Sequence, residues 1–192
     1  MKRPQLARVA LALAILTCLG GPAAAALTGR ILQVVTAPGG GTSYYLLQDG
    51  PGSAGHAPPM TIASASDGER VDRILLRSKS SMKPAENLTE LSNLELSPDS
   101  KTLFFEAQAW ATEDAIHALD LNTGAERFVV AGELRCVLPT GEYEGDLIVE
   151  QHHYFVQGGS FDDLYLFDAR GKKLGIVEQG TNTTGICPGR SL

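Results

Sequence analysis

The chain lacks any long apolar run, and its one short run lies near the start. Residues 9–19 are apolar, follow Lys2, Arg3 and Arg8, and precede a stretch of small residues. Such a run is too short to cross a bilayer as a helix and is typical of a secretory signal. We predict a signal peptide over 1–26 and a periplasmic or secreted protein without stable membrane insertion. The alternative is a lipoprotein anchored through Cys18.

Positive charge is also scarce. The chain has 16 Lys and Arg against 22 Asp and Glu. Three of the basic residues and none of the acidic ones lie in the predicted signal, so its removal takes the net charge from −6 to −9. A surface this acidic argues against nucleic acid or an anionic membrane as the partner.

Cysteine is rare, with three in the whole chain. Once Cys18 leaves with the signal, Cys136 and Cys187 remain. An oxidising compartment allows these two to pair, so we predict a disulfide that ties the C-terminal tail to the domain. Two separate buried thiols are the alternative. No Cys or His spacing of a structural zinc site is present.

Apolar residues at helical spacing are few, whereas short β-rich runs bounded by turn residues recur. The clearest runs are 31–35, 44–47, 74–76, 103–105 and 128–130. The pattern predicts an all-β fold. Residues 49–68 are rich in Gly, Pro, Ser and Ala and predict a long loop, and 78–89 predict a second connection.

An internal repeat is present in the second half of the chain. Residues 119–124 (Leu-Asp-Leu-Asn-Thr-Gly) align with 166–171 (Leu-Phe-Asp-Ala-Arg-Gly) at an offset of about 47 residues. Each segment is typical of a strand, a tight turn closed by glycine, and a second strand. Extending the alignment outward predicts a four-stranded antiparallel sheet of about 45 residues, which is the length of a propeller blade.

The segment Ser97-Pro98-Asp99-Ser100-Lys101 resembles the Ser-Pro-Asp-Gly-Lys signature of TolB-type, WD-repeat-like propellers. In that family the signature is the turn between the first two strands of a blade. Pro98 presets φ for such a turn, and Asp99 bonds readily to nearby backbone amides. Ser100 stands where the family has glycine. The resemblance implies a repeat protein that serves as an interaction platform.

These observations predict one propeller-like domain over 27–192. Its predicted parts are an irregular blade at 28–77, blades at 91–131 and 132–178, and a C-terminal tail at 179–192. Closed propellers usually have four to eight blades. The chain is short for a closed ring, so we expect an open arc, a stack of sheets, or assembly with a partner or another copy as a homo-oligomer.

Catalytic and metal-binding motifs are incomplete, so we predict no catalytic residue, no cofactor and no enzyme. Residues 51–55 followed by His56 approach a nucleophile elbow but lack its first glycine and the flanking helix. His152 and His153 suggest zinc ligands, but adjacent residues of a strand point to opposite faces. The acidic residues Glu142, Glu144 and Asp146 lack the alternation of a calcium loop.

The best candidate for a site is a pair of equivalent inserts, because inserts between successive repeats emerge on one face. Each joins the second and third strands of a blade, over 108–114 and 157–163. They carry an aromatic beside acids, namely Trp110, Glu113, Asp114, Phe161, Asp162 and Asp163. Exposed aromatics often anchor interfaces. The alternative is that the two aromatics pack on their own blades.

The function predicted from the sequence is therefore an exported, non-enzymatic module that binds a protein or peptide partner through these loops. Two other hypotheses stay open. One is a hydrolase or lyase acting on glycan or peptide, and the other is an inhibitor of a secreted enzyme or toxin.

Overall fold

The computed structural model describes residues 29–66, 73–110, 113–179 and Cys187. The predicted signal peptide and most of the predicted tail lie outside these residues. The described residues contain no α-helix and one 3-10 turn, Pro84–Glu86. Within them, no helix has the length and apolar character needed to cross a bilayer. The strands are β1 Arg30–Thr36, β2 Thr42–Gln48, β3 Met60–Ser66, β4 Arg73–Arg77, β5 Thr89–Leu96, β6 Thr102–Gln108, β7 Asp114–Asp120, β8 Glu126–Ala131, β9 Glu133–Val137, β10 Leu147–Tyr154, β11 Ser160–Phe167 and β12 Lys173–Gln179.

The strands form three antiparallel sheets, each with four strands in chain order. We call β1–β4 blade 1, β5–β8 blade 2 and β9–β12 blade 3. The first strands of neighbouring blades lie beside each other, because β1 contacts β5 and β5 contacts β9. The predicted all-β class with blade-like sheets is confirmed.

Apolar side chains fill the space between neighbouring blades. The cluster between blades 1 and 2 includes Leu46, Ile62, Leu94, Leu103 and Phe105, all nearly inaccessible to solvent. The cluster between blades 2 and 3 is centred on Phe104, Ile116, Leu134, Leu147 and Val149. Since Phe104 and Phe105 point to opposite faces of β6, blade 2 supplies core residues to both neighbours.

Polar side chains also join the blades. The side-chain amide of Gln33 in β1 donates to the carbonyl of Leu94 in β5 at 3.0 Å and accepts from its N–H at 2.8 Å. At the next junction the N–H of Leu134 in β9 donates to Glu106 at 2.5 Å, and Asn93 donates to the Leu134 carbonyl at 2.6 Å. Leu94 in β5 and Leu134 in β9 therefore each have both their N–H and their carbonyl hydrogen-bonded to side chains of the preceding blade.

The predicted disulfide is confirmed. Cys136 and Cys187 are bonded, with Cα atoms 5.9 Å apart and a separation of 51 positions in sequence. They pack with Ile148 and Leu164 on the face of blade 3 that points away from blade 2. Because disulfides persist in oxidising surroundings, this bond indicates a compartment outside the reducing cytoplasm.

The turns between strands lie where the internal sequence repeat predicts them. Residues 97–101 connect β5 and β6, and Ser100 there has a φ of 57°, the left-handed region that glycine adopts most easily. Gly124 and Gly171 close the β7–β8 and β11–β12 turns with φ of 75° and 88°. A Cβ on Gly171 would lie 2.1 Å from the Val129 carbonyl oxygen, so blade 2 packs closely against this turn.

The prediction of one long loop over 49–68 is wrong, because β3 occupies Met60–Ser66. Its Ala63 and Ala65 are completely buried, yet alanine and serine have low β propensity and obscured the strand. The segment 28–77, for which the sequence predicts an irregular blade, contains the strands β1 to β4 of blade 1. Their pairing shifts register between Ile31 and Gln33 and between Ile62 and Ala63.

Candidate functional site

The blades have two distinct ends. One carries the β6–β7 and β10–β11 turns, and we call it the loop end. The opposite end carries the β5–β6, β7–β8, β9–β10 and β11–β12 turns, and we call it the hairpin end. The sequence-predicted candidate residues are all at or near the loop end.

Glu113 joins blade 2 to blade 3 at the loop end. Its carbonyl accepts a hydrogen bond from the Trp110 N–H at 2.9 Å, which closes the β6–β7 turn. Its side chain accepts from the His152 N–H at 2.9 Å. Strand β9 begins at Glu133, opposite Glu150, so His152 lies beyond the reach of β9. The Glu113 carboxylate therefore pairs with the edge of β10 where a strand would otherwise continue.

Two neighbouring depressions meet at Glu113. One has a volume of about 490 Å³ and the other about 180 Å³, and they share Glu113 and Glu133 in their linings. We call the two together the acidic groove. It is lined by Glu90, Ser92, Gln108, Trp110, Glu113, Asp114, Glu133, Glu150, His152 and Asp162.

Negative charge dominates the acidic groove. Six of its lining residues are Asp or Glu, and none is Lys or Arg. Arg135 offsets part of the charge, since its guanidinium is 2.5 Å from Glu150 and 3.4 Å from Glu133. Burial, followed by the nearby Glu90 charge, raises the pKa of Asp114. A cationic group entering the groove would relieve this mutual repulsion.

Two histidines at the groove's edge point in opposite directions, as adjacent strand residues do. His152 Nδ1 lies 2.6 Å from Asp162, at the groove. His153 lies on the other face, where its Nε2 is 3.1 Å from the Tyr165 hydroxyl. The Tyr165 hydroxyl in turn donates to Asp163 at 3.1 Å. Among the described residues, no three His, Cys, Asp or Glu side chains are grouped to hold a metal ion.

The structure brings four of the six predicted site residues to the acidic groove, namely Trp110, Glu113, Asp114 and Asp162. Trp110 is 41% exposed and does not pack fully onto its own blade. Asp163 is buried on the opposite face beside Tyr165, and Phe161 stacks on His153 with 5.1 Å between ring centroids.

The prediction that residues 157–163 form a loop is wrong for residues 160–163. Strand β11 begins at Ser160, so Phe161, Asp162 and Asp163 are strand residues that alternate between faces. This alternation separates Asp162 from its two neighbours. Glycines 158 and 159, with φ of 94° and 90°, confine the turn to the residues before the strand.

The site residues predicted from the sequence do not include Glu90, Glu133 and Glu150, which line the groove. Glu90 and Glu133 lie in the inner strands β5 and β9, and Glu150 lies in β10. One signal was present, since Glu150 directly follows the apolar run Leu147–Val149 and Glu133 lies shortly after the run at 128–130. Their convergence depends on sheet pairing, because Glu150 pairs with Glu133 across β9 and β10.

The stacked four-stranded sheets with adjacent first strands define the chain as a set of propeller blades. No family model and no curated protein matches the sequence. Solved structures do match in fold. An acylaminoacyl peptidase in complex with a chloromethyl ketone matches with a TM-score of 0.53 at 15% identity, over 81% of this chain and 26% of that one.

Two further matches come from Pyrococcus. The β-propeller domain of the trilobed protease from Pyrococcus furiosus, described as having an open velcro topology, has a TM-score of 0.50 at 16% identity. The match covers 81% of this chain and 44% of that one. The Pyrococcus horikoshii acylaminoacyl peptidase has a TM-score of 0.51 at 15% identity, over 80% and 26%. The chain thus spans about a quarter to under half of the length of these structures.

These matches overturn the prediction that the chain is not an enzyme. The propeller domains that it resembles belong to peptidases, so blades of this kind do occur in catalytic proteins. The missing motifs were therefore no ground for excluding catalysis. The likeness lies in the fold of one domain, at low sequence identity.

Proposed function

We propose that this chain is an exported propeller module that binds a protein or peptide segment at its loop end. The observation that carries the proposal is the exposed indole of Trp110 at the wall of a groove that joins two blades. Tryptophan is prominent among residues that dominate binding energy, and a groove lets the partner desolvate it. The disulfide supports export, and the periplasm or secretion is the destination we propose.

The turn over 97–101 supports placing the blades with the TolB-type repeats. The Ser97 N–H donates to the Thr102 carbonyl, and Asp99 accepts from both the Ser97 hydroxyl and the Lys101 N–H. These bonds give the Ser-Pro-Asp segment a structural role in the first turn of blade 2. TolB-type repeats serve mainly as interaction platforms, in keeping with a binding role.

The structural matches favour a second candidate function, which is handling of peptides for a peptidase. Three of the matched propellers are in proteins named as peptidases or a protease. In that case the acidic groove would receive a peptide substrate. A peptide that binds and is then cut, by this chain or by a co-purifying protein, would favour this candidate over simple binding.

Replacing Trp110 by alanine tests the proposal. We expect Trp110→Ala to abolish capture of a specific partner from the exported fraction of the native host, as measured by affinity capture and mass spectrometry. The melting temperature should stay nearly unchanged, because Trp110 is exposed at the loop end and is not among the buried core residues.

Tyr143→Ala is the matched control. Tyr143 is 44% exposed, similar to Trp110, and lies in the β9–β10 turn at the hairpin end. This variant should capture the same partner as the unmodified protein. Equal capture by both variants, or unfolding of Trp110→Ala, would show that the loop end is not the binding surface.

A further inference from the structure

The β10–β11 hairpin projects beyond the rest of blade 3 at the loop end. Pairing between β9 and β10 stops at Glu133 and Glu150, whereas β10 and β11 stay paired up to Tyr154 and Ser160. The Phe155 N–H donates to the Gly159 carbonyl and the Gly158 N–H to the Phe155 carbonyl, each at 3.0 Å. The projecting tip is therefore an ordered two-stranded ribbon with a hydrogen-bonded turn.

Three consecutive large apolar residues occupy this tip. Tyr154 is 64% exposed, Phe155 is 52% exposed, and Val156 is fully exposed. The rings are already held in place, since Tyr154 packs on His152 with centroids 4.7 Å apart and Phe155 packs on Phe161 at 4.6 Å. An exposed apolar cluster of this kind marks an interaction surface, and ordered side chains lose little entropy on binding.

The apolar tip is continuous with the acidic groove through His152. This residue lines the groove, and its ring contacts Tyr154. His152 and Tyr154 lie on the same face of β10, two residues apart, which is about 7 Å along a strand. The surface thus changes from acidic to apolar over the distance spanned by two residues of an extended chain.

We propose that this surface binds an extended protein segment in which a lysine or arginine lies two residues from a large apolar side chain. The basic side chain would enter the acidic groove near Glu113 and Glu133, and the apolar one would pack against Tyr154 and Val156. The carboxylates of the adjoining acidic groove repel anionic lipid, so the occupant is protein and not a membrane. This inference rests on the proposed function and specifies the kind of segment bound.

Selection from a displayed library of random dodecapeptides on the immobilised protein tests the inference. We expect enriched peptides to share a lysine or arginine two positions from Leu, Ile, Phe, Tyr or Trp. A synthetic copy of an enriched peptide should lose about tenfold or more in affinity for the double variant Tyr154→Ser with Val156→Ser. Isothermal titration measures the affinity.

The matched control is the double variant Leu174→Ser with Val177→Ser. These side chains are also apolar and 43% and 41% exposed, but they lie on the outer strand β12. Unchanged affinity for this control, together with loss at the tip, supports the inference.

Three outcomes would overturn the inference, and they separate it from the proposed function. Loss of binding in Glu113→Gln with Glu133→Gln but not in the tip variant leaves the groove as a site and removes the tip from it. No peptide enriched above a blank selection contradicts the proposed function as well. Tip-dependent binding to phosphatidylglycerol vesicles, with peptide binding unaffected by the tip variant, would assign the tip to lipid.

Discussion

Glu106 is a charged residue buried at the junction of blades 2 and 3. It is 7% exposed and accepts hydrogen bonds from Leu134 N–H, Asn93 Nδ2 and Ser92 Oγ. Burial raises its pKa, and the bonds from Leu134 and Asn93 offset this only in part. The ionised Glu106 carboxylate therefore reduces the stability of the fold, although it accepts the hydrogen bond from Leu134 in strand β9.

Replacing Glu106 by glutamine should raise the free energy of unfolding at pH 7. A glutamine oxygen can accept from Leu134 and Asn93 while its NH₂ donates to Ser92. Because the folded pKa of Glu106 is raised, its contribution to stability is fully present below the ordinary glutamate pKa of about 4.3 and is lost as pH rises through the folded pKa. Urea titrations should show the difference between Glu106→Gln and the unmodified protein at pH 7 and not at pH 4.

Glu106→Leu is the contrasting variant. It leaves the Leu134 N–H without its partner, which should cost about 1–3 kcal/mol at both pH values. A glutamine variant that is less stable than the unmodified protein at pH 7 would show that the charge itself stabilises the junction.

At the scale of elements, the blades depend on polar side chains that pair the backbone of the neighbouring inner strand. Gln33 occupies both the N–H and the carbonyl of Leu94, which is 1% exposed, so removing the amide takes the partner from two backbone groups of a buried residue. Gln33→Ala should lower the free energy of unfolding by about 1–3 kcal/mol in urea titrations. The Leu94 amide should also exchange its hydrogen faster.

Gln48→Ala is the control for this junction. The Gln48 side-chain amide donates to the Gly50 carbonyl two residues away and joins no blades. Gln48→Ala should lower the free energy of unfolding much less than Gln33→Ala does. If the two variants lower the free energy of unfolding equally, the Gln33–Leu94 hydrogen bonds between β1 and β5 add no stability of their own.

At the scale of the whole molecule, the disulfide ties the distant end of the chain to the first strand of blade 3. In the chain-entropy model, closing a loop of about 50 residues lowers the conformational entropy of the unfolded chain. This stabilises the folded protein by about 4 kcal/mol. The variant Cys136→Ala with Cys187→Ala should therefore unfold with a free energy up to about 4 kcal/mol lower. Calorimetry or urea titration measures this difference.

A mass measurement checks the bond directly. The denatured, unreduced protein should gain no mass from alkylation at Cys136 or Cys187, whereas the reduced protein should gain two alkyl groups there. Alkylation of both thiols without reductant would contradict the bond and remove the structural argument for an oxidising compartment.

The positions of the repeats could be predicted because their signals are local. The turn at 97–101 and the glycines at 124 and 171 carry conformations that depend on a few neighbouring residues. Strand β3 was missed because Ala63 and Ala65 have little intrinsic preference for strands, and burial between β2 and β4 decides their conformation.

The acidic groove depended on tertiary structure. Glu113 and His152 are 39 residues apart in sequence, and they meet because β10 extends past the start of β9. A one-residue change in the register of β11 would move Asp162 to the opposite face of the sheet and bring Phe161 or Asp163 to the groove in its place. No local pattern carries that register, so the sequence placed Asp162 and Asp163 together when the sheet separates them.

The sequence by itself determined the all-β class, the repeat and the cysteine pair, since strand periodicity, turn residues and the number of cysteines act over short distances. Tertiary structure alone decided which carboxylates share a groove and which apolar side chains stay exposed at the hairpin tip. The physical reason is that side-chain direction follows from strand pairing and from where each strand stops. Those lengths are set by contacts between residues far apart in the chain.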